Sequence, residues 1–233
     1  GYNVLRTPTF QAAGYAFVWG GENFLNTSFG RFRPRITSDN SKYPSNATIY
    51  ICCSTDTSSG ATNDGFLNYA KCVNPYTTSP TIIYFPRTQG LLVASSSLTY
   101  LHSDIAYINS IANRIMILVA NSYINEPDMS VVNFAPDFTL IGTIELPALG
   151  YKRDFCRIAT NGGNLQSAML IYRENYQNSG DWDLKGYKST NGGDGWTGID
   201  IDTRRNNSVY PFPADICAIR NRENRFAISY SVN

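Results

Sequence analysis

The 233-residue chain has little of what metal sites, membrane spans and nucleic-acid surfaces are made from. It has one histidine, His102, and its five cysteines (Cys52, Cys53, Cys72, Cys156 and Cys217) form no Cys-x-x-Cys pair, so the usual zinc spacings are excluded. Cys52 and Cys53 are adjacent and point to opposite faces of any strand, so at most one of them faces Cys72. Buried free thiols are the expectation for the set. Only 16% of residues are charged, and 19 basic against 18 acidic side chains, scattered along the chain, leave a net charge of +1. No basic stripe exists to displace the counterions of a nucleic acid. No stretch approaches the roughly 18 apolar residues of a membrane-spanning helix, so no membrane insertion is expected. The longest apolar block, Arg114 to Ala120, has the length of a buried strand. Sustained helical periodicity is lacking as well. Gly1 opens the chain without a leader pattern, so a processed chain or a piece of a longer one is expected.

What is abundant points one way. Sixteen tyrosines and twelve phenylalanines suit pleated surfaces, and eighteen glycines with eleven prolines suit the turns between them. The chain reads as all-β.

An internal repeat organises it. "DIAYINSIANRIMI" (Asp104 to Ile117) and "DICAIRNRENRFAI" (Asp215 to Ile228) share Asp, Ile, Ile, Asn, Arg and a final Ile at an offset of 111. "DFCRIAT" (Asp154 to Thr160) repeats the opening at an offset of 50, with Gly14 to Gly20 and Thr48 to Ser54 as weaker copies. A second apolar strand follows each of the last four: Phe66 to Val73, Arg114 to Ala120, Ser167 to Tyr172 and Arg225 to Val232. Third and fourth strands follow within Thr81 to Ala94, Met129 to Ile144 and Trp182 to Ile201. Each unit is a four-stranded antiparallel meander, which cannot cover both of its faces alone and must stack on a copy. Five openings predict a five-bladed β-propeller over residues 1–233, a single domain. The last blade is closed by both termini, with Asn233 beside Gly1 and outer strands from Tyr2 to Ala12. A β-sandwich is the alternative fold. Cys156 and Cys217 fall at equivalent inner-strand positions and are expected to be buried and unreactive.

Between the third and fourth strands of the unit opened by Asp154 stands "STNGGDGW" (Ser189 to Trp196). It resembles the Asp-box, or BNR repeat, of sialidases and other propellers, Ser-x-Asp-x-Gly-x-Thr-Trp in a strand-turn-strand setting. Ser189, Gly193 and Trp196 match, while Asn191 replaces the Asp and Gly195 the Thr. The resemblance implies a structural staple on the face away from the ligand, with Asn191 bonding turn amides and Trp196 packed beneath. Sialidase activity is not expected: "FRPRI" (Phe32 to Ile36) has the order of that family's Arg-Ile-Pro motif scrambled, and no Tyr-Glu pair stands out.

In a meander, the loops between second and third strands share one rim. There the sequence places Tyr76, Asn121, Tyr123, Asn175 and Tyr176, with Tyr2 across the closing seam. Tyrosine offers an apolar face and a hydroxyl, and asparagine both donates and accepts, a pairing suited to sugar rings. Asp104, Asp154 and Asp215 open the innermost strands on that rim. Three converging carboxylates repel one another unless a cation, an arginine or water separates them. They are candidates to hold Ca²⁺, to perform the acid–base work of a glycoside hydrolase, or simply to cap loop amides.

The reading favoured is a non-catalytic binding module for a glycan or cell-surface receptor. The Tyr, Asn and Ser content resembles that of the receptor-binding ends of viral or phage fibres, which implies an extracellular or virion-surface location. A five-bladed glycoside hydrolase using the Asp trio and a protein–protein scaffold are the alternatives. Asn26, Asn46 and Asn206 stand in N-x-Ser/Thr sequons, relevant in a eukaryotic secretory host.

Overall fold

The computed structural model describes residues 35–39, 41, 46–55, 66–75, 81–84, 101–109, 113–121, 129–146, 153–161, 166–176, 181–203, 211–219, 222 and 224–232. The chain is all-β, and no helix long and apolar enough to cross a membrane occurs among the described residues. The first sheet comprises β1 (Arg35–Ser38), β2 (Thr48–Thr55), β3 (Phe66–Val73) and β4 (Thr81–Tyr84). The second has β5 (Leu101–Ile108), β6 (Arg114–Asn121), β7 (Met129–Phe134) and β8 (Leu140–Leu146). The third has β9 (Arg153–Thr160), β10 (Ala168–Tyr176), β11 (Asp181–Ser189) and β12 (Thr197–Asp202), and β13 (Pro211–Ala218) pairs with β14 (Phe226–Val232) in a fourth. Each sheet is an antiparallel meander in chain order, and none closes on itself.

The sheets are layered in sequence. β1 and β2 pack on β5, β5 and β6 on β9, and β9 and β10 on β13. The second strands of the first three sheets, β2, β6 and β10, are buried on both faces. On β6, Ile115, Ile117 and Val119 meet Tyr50, Cys52 and Tyr69 of the first sheet, while Met116, Leu118 and Ala120 meet Cys156, Ile158 and Leu170 of the third. On β10, Leu170 and Tyr172 turn to the second sheet, while Met169 and Ile171 turn to Ile216 of the fourth. Alternate side chains of one strand thus serve two different cores, which is why these strands read as unbroken apolar runs rather than as half-polar ones. A two-layer sandwich, the alternative from the sequence, does not describe this arrangement, because the second and third sheets are each covered on both sides.

Two readings of the repeat are corrected. Thr48 to Ser54 does not open its sheet: it lies in β2, with β1 paired along its other edge (Arg35 opposite Cys52, Ser38 opposite Ile49). The true opening, Arg-Ile-Thr-Ser, is short and polar, so the apolar pattern pointed to the doubly buried second strand instead. Phe66–Val73 is accordingly a third strand. The 111-residue repeat is registered as read, with Ile105 opposite Ile117 and Ile216 opposite Ile228. The 50-residue offset is not. Phe155 takes a left-handed φ of 51°, and β9 bulges so that Asp154 pairs with Arg173 but Arg157 with Ile171. Counted back from the hairpin link, Ile158 rather than Phe155 is the counterpart of Ile105. Cys156 and Cys217 therefore face opposite ways. Cys156 is fully buried, which pushes its thiol up to about 12, whereas Cys217 is exposed. The bulge adds one residue, and one residue inverts a strand's faces. Cys52 and Cys72 are buried, as expected, and neither forms a disulfide. The side chain of Cys53, the segment Gly14 to Gly20 and both termini lie outside the described residues.

Candidate functional site

Strand direction fixes two ends for the stack. At one end lie the hairpin links after β1, β5, β9 and β13, together with the turn between β11 and β12. At the other lie the ends of β6, β10 and β14 and the starts of the first strands.

The first end holds the turn Ser189 to Trp196, the expected box. Ser189 Oγ accepts from the Gly193 amide at 3.0 Å, Asn191 Oδ1 accepts from the Gly195 amide at 3.0 Å, and Trp196 Nε1 donates to the Gly193 carbonyl at 3.2 Å. Gly192 and Gly193 have φ of 73° and 92°, values that side chains rarely adopt. Asn191 Oδ1 thus bonds an amide of its own turn, and Trp196 is half-buried against the core. Arg114 of β6 reaches across, pairing with Asp194 and donating to the Gly192 carbonyl at 3.4 Å. The turn clamps the third sheet to the second and is remote from the other rim. Tyr76 belongs to this story too. β3 ends at Val73 on the box side, where the Asn74 amide donates to the Ala47 carbonyl, so the link following it does not start from the expected rim. Tyr76 itself, like Tyr2 and Tyr123, lies outside the described residues.

The first strands carry the charges. Asp39, Asn161 and Ile219 each donate an amide across the hairpin link, and Ile108 pairs with Arg114 at the same level. Four residues before them stand Arg35, Asp104, Arg157 and Asp215. The expected Asp trio is thus an alternating Arg–Asp–Arg–Asp series, with Arg157 in the place assigned to Asp154. Asp154 is displaced towards the rim, and its side chain is outside the described residues. Asp104 is buried. Its Oδ2 accepts from the Ile158 amide of the third sheet at 2.8 Å, and its Oδ1 lies 3.7 Å from Arg35 Nε of the first. Burial lowers the Arg157 pKa, and neighbouring Arg35 adds to this while Asp104 and Asp215 oppose it. Asp215 is exposed and accepts from the Ile216 amide. Arg35 and Arg157 alternate with the carboxylates in this series, and no group of three His, Cys, Asp or Glu side chains poised for a metal occurs among the described residues.

Burial, opposed by the Ile158 amide and Arg35, raises the Asp104 pKa to about 6. The folded chain therefore binds this proton more tightly than the unfolded one. Asp104's contribution to stability is absent well above pH 6 and grows as pH falls towards the ordinary carboxylate value. On lowering pH from 7 to 5, the wild type is expected to gain about 1 kcal/mol relative to Asp104→Asn. Urea titrations of both proteins at the two pH values measure it; parallel changes would mean that Asp104 does not take up a proton.

The rim end of the third sheet differs on its two faces. Towards the fourth sheet, the Arg173 guanidinium lies 3.9 Å from the Trp182 ring centroid and 4.6 Å from that of Phe155, whose ring neighbours His102 at 5.9 Å. Asn175 shares this face at the end of β10. Its Oδ1 is buried and has no hydrogen-bond partner among the described residues. Of the expected ligand residues, the side chains of Asn121 and Tyr176 are outside the described set, though both residues end their strands at this rim. Compared with family models, curated proteins and solved structures, the chain matches none.

Towards the second sheet lies a charge network. Glu174 accepts from Arg153 Nε at 2.9 Å and from Lys185 Nζ at 2.7 Å, with Asp183 3.9 Å behind the lysine. Arg153 and Glu174 are 1% and 2% exposed. Burial works against the Arg153 charge, yet Tyr172 and Glu174 together hold its pKa above the usual arginine value. The guanidinium lies over Tyr172 at 4.9 Å, and Tyr172 stacks on Tyr187 with centroids 5.8 Å apart. Sequence reasoning passed over these residues because their charges are spread over three strands and only cross-strand registry assembles them.

Proposed function

We propose that the four layered sheets are blades of a β-propeller, which the repeat predicts to be five-bladed. On this reading the Ser189 to Trp196 turn is an Asp-box. The chain is a non-catalytic binding module that takes a glycan or glycosylated cell-surface receptor on the rim where β10 ends, as the receptor-binding part of a viral or phage attachment protein does. The observation that carries this is the rim cluster of Phe155, Arg173 and Trp182 beside Asn175. Two aromatic rings held by a shared cation make a rigid apolar platform, and a buried amide oxygen without a partner is a hydrogen-bond acceptor awaiting a donor. Sugars present a C–H face and hydroxyl donors together. Strain at Phe155, a non-glycine residue with positive φ, is of the kind that accumulates at ligand sites.

Hydrolysis is less well supported. Both oxygens of Glu174 are engaged by cations and Asp104 is held by an amide and Arg35, so neither is free to work as one of two carboxylates across a glycosidic bond. A glycan array, run with calcium and again with chelator, tests the reading. Trp182→Ala is expected to weaken the strongest array ligand about tenfold, the worth of one stacked aromatic contact. An array without signal, or a Trp182→Ala protein binding as wild type, rejects the rim. Loss of signal only with chelator would restore a calcium role for the Asp residues.

A further inference from the structure

We infer that a wedge on the third sheet, on its face towards the second and lined by residues of β9 to β12, is a subsite for one neutral sugar ring. The inference rests on the glycan reading above but on different residues. Going along β10 towards the rim, the face turned to the second sheet changes from Ala168 and Leu170, which fill the apolar core, to Tyr172 and then Glu174. Where it turns polar, a cavity of about 180 Å³ opens, far more than one water needs.

Its charged lining balances: Arg153 and Lys185 against Glu174 and Asp200. An anion entering it meets two carboxylates, and a cation meets a guanidinium and an ammonium. A neutral molecule rich in hydroxyls meets no such penalty and finds donors and acceptors side by side. Lys185 and Asp200 are directly opposite on β11 and β12. Lys185 turns to Glu174 and Asp183, leaving Asp200 without an ion-pair partner among the described residues. A carboxylate acceptor beside an ammonium donor suits two adjacent hydroxyls of a sugar ring, and the Tyr172–Tyr187 stack forms the apolar side.

Gly198 keeps the wedge open. It is exposed, and a Cβ placed there meets only Tyr187, at an ordinary 3.5 Å. Gly198→Leu therefore fills the cavity without strain in the sheet. Saturation-transfer NMR on the full chain, with methyl glycosides of neutral hexoses as probes and the methyl glycoside of a sialic acid as the charged control, tests the proposal. Transfer to at least one neutral hexoside is expected. Gly198→Leu should weaken it tenfold or more at unchanged melting temperature, and Asp200→Asn, an exposed change, should weaken it fivefold. Trp182→Ala should leave it unaltered. No transfer to any neutral hexoside, stronger transfer to the charged control, or Gly198→Leu and Asp200→Asn both binding as wild type would overturn the subsite. A positive array with no hexoside transfer removes this wedge and keeps the rim. Hexoside transfer that Gly198→Leu abolishes, with Trp182→Ala indifferent to every array ligand, keeps the wedge and removes the rim.

Discussion

Glu174→Ala is expected to destabilise the protein by about 3–5 kcal/mol, the cost of stranding a buried charge. Arg153 is 1% exposed and its Nε donates to Glu174. Removing the carboxylate leaves the buried guanidinium over Tyr172 beside a second cation, Lys185, without the carboxylate that both of them contact. Replacing both buried partners, as in Arg153→Met with Glu174→Leu, should lose much less, because no uncompensated charge remains. Denaturant unfolding of the two variants separates these cases. Equal losses would mean that packing, not charge, governs the network.

The second large effect is expected at Gly193. Its φ of 92° is disfavoured for any residue with a Cβ, and that Cβ would sit 2.5 Å from the terminal methyl of Met116, a fully buried side chain of β6. Gly193→Ala combines a left-handed penalty of about 1–2 kcal/mol with an overpacking cost of about 1–3 kcal/mol. The clash, unlike the backbone strain, is shared with Met116. In a double-mutant cycle with Met116→Ala, the two changes should therefore cost less together than their sum. Strict additivity would show that Met116 swings clear and that the turn alone carries the loss. Binding at the far rim should be unaltered in either case.

These residues also show what the sequence disclosed and what it hid. The meanders were legible because two matching Asn-Arg links fix the register of β5 with β6 and of β13 with β14. β1 was not, since four residues without an apolar pattern carry no period. Its neighbour β2, buried on both sides, imitated an opening. The bulge at Phe155 has no marker in the chain, because a left-handed phenylalanine looks like any other, and it took Asp154 out of its expected setting and broke the equivalence of Cys156 with Cys217. The Ser189 to Trp196 turn was legible as a local feature whose hydrogen-bond partners lie within eight residues. Arg153, Glu174, Lys185 and Asp200 come from four strands, so only the fold unites them. Asn175 alone among the expected ligand residues has a described side chain, and it sits at the rim cluster.

The alternation of Arg35, Asp104, Arg157 and Asp215 imposes a parity on how such a chain can grow. Tandem duplication is the simplest way to add a layer. Copying the third sheet alone would set two guanidinium groups side by side at the level of Arg157, and copying the second alone would pair two buried carboxylates. Copying the two together restores the order Asp, Arg, Asp, Arg with every charge beside its opposite. Like charges in a setting that already shifts Asp104 and Arg157 are costly. Lengthening by twos thus preserves the alternation, whereas lengthening by ones sets like charges in adjacent sheets.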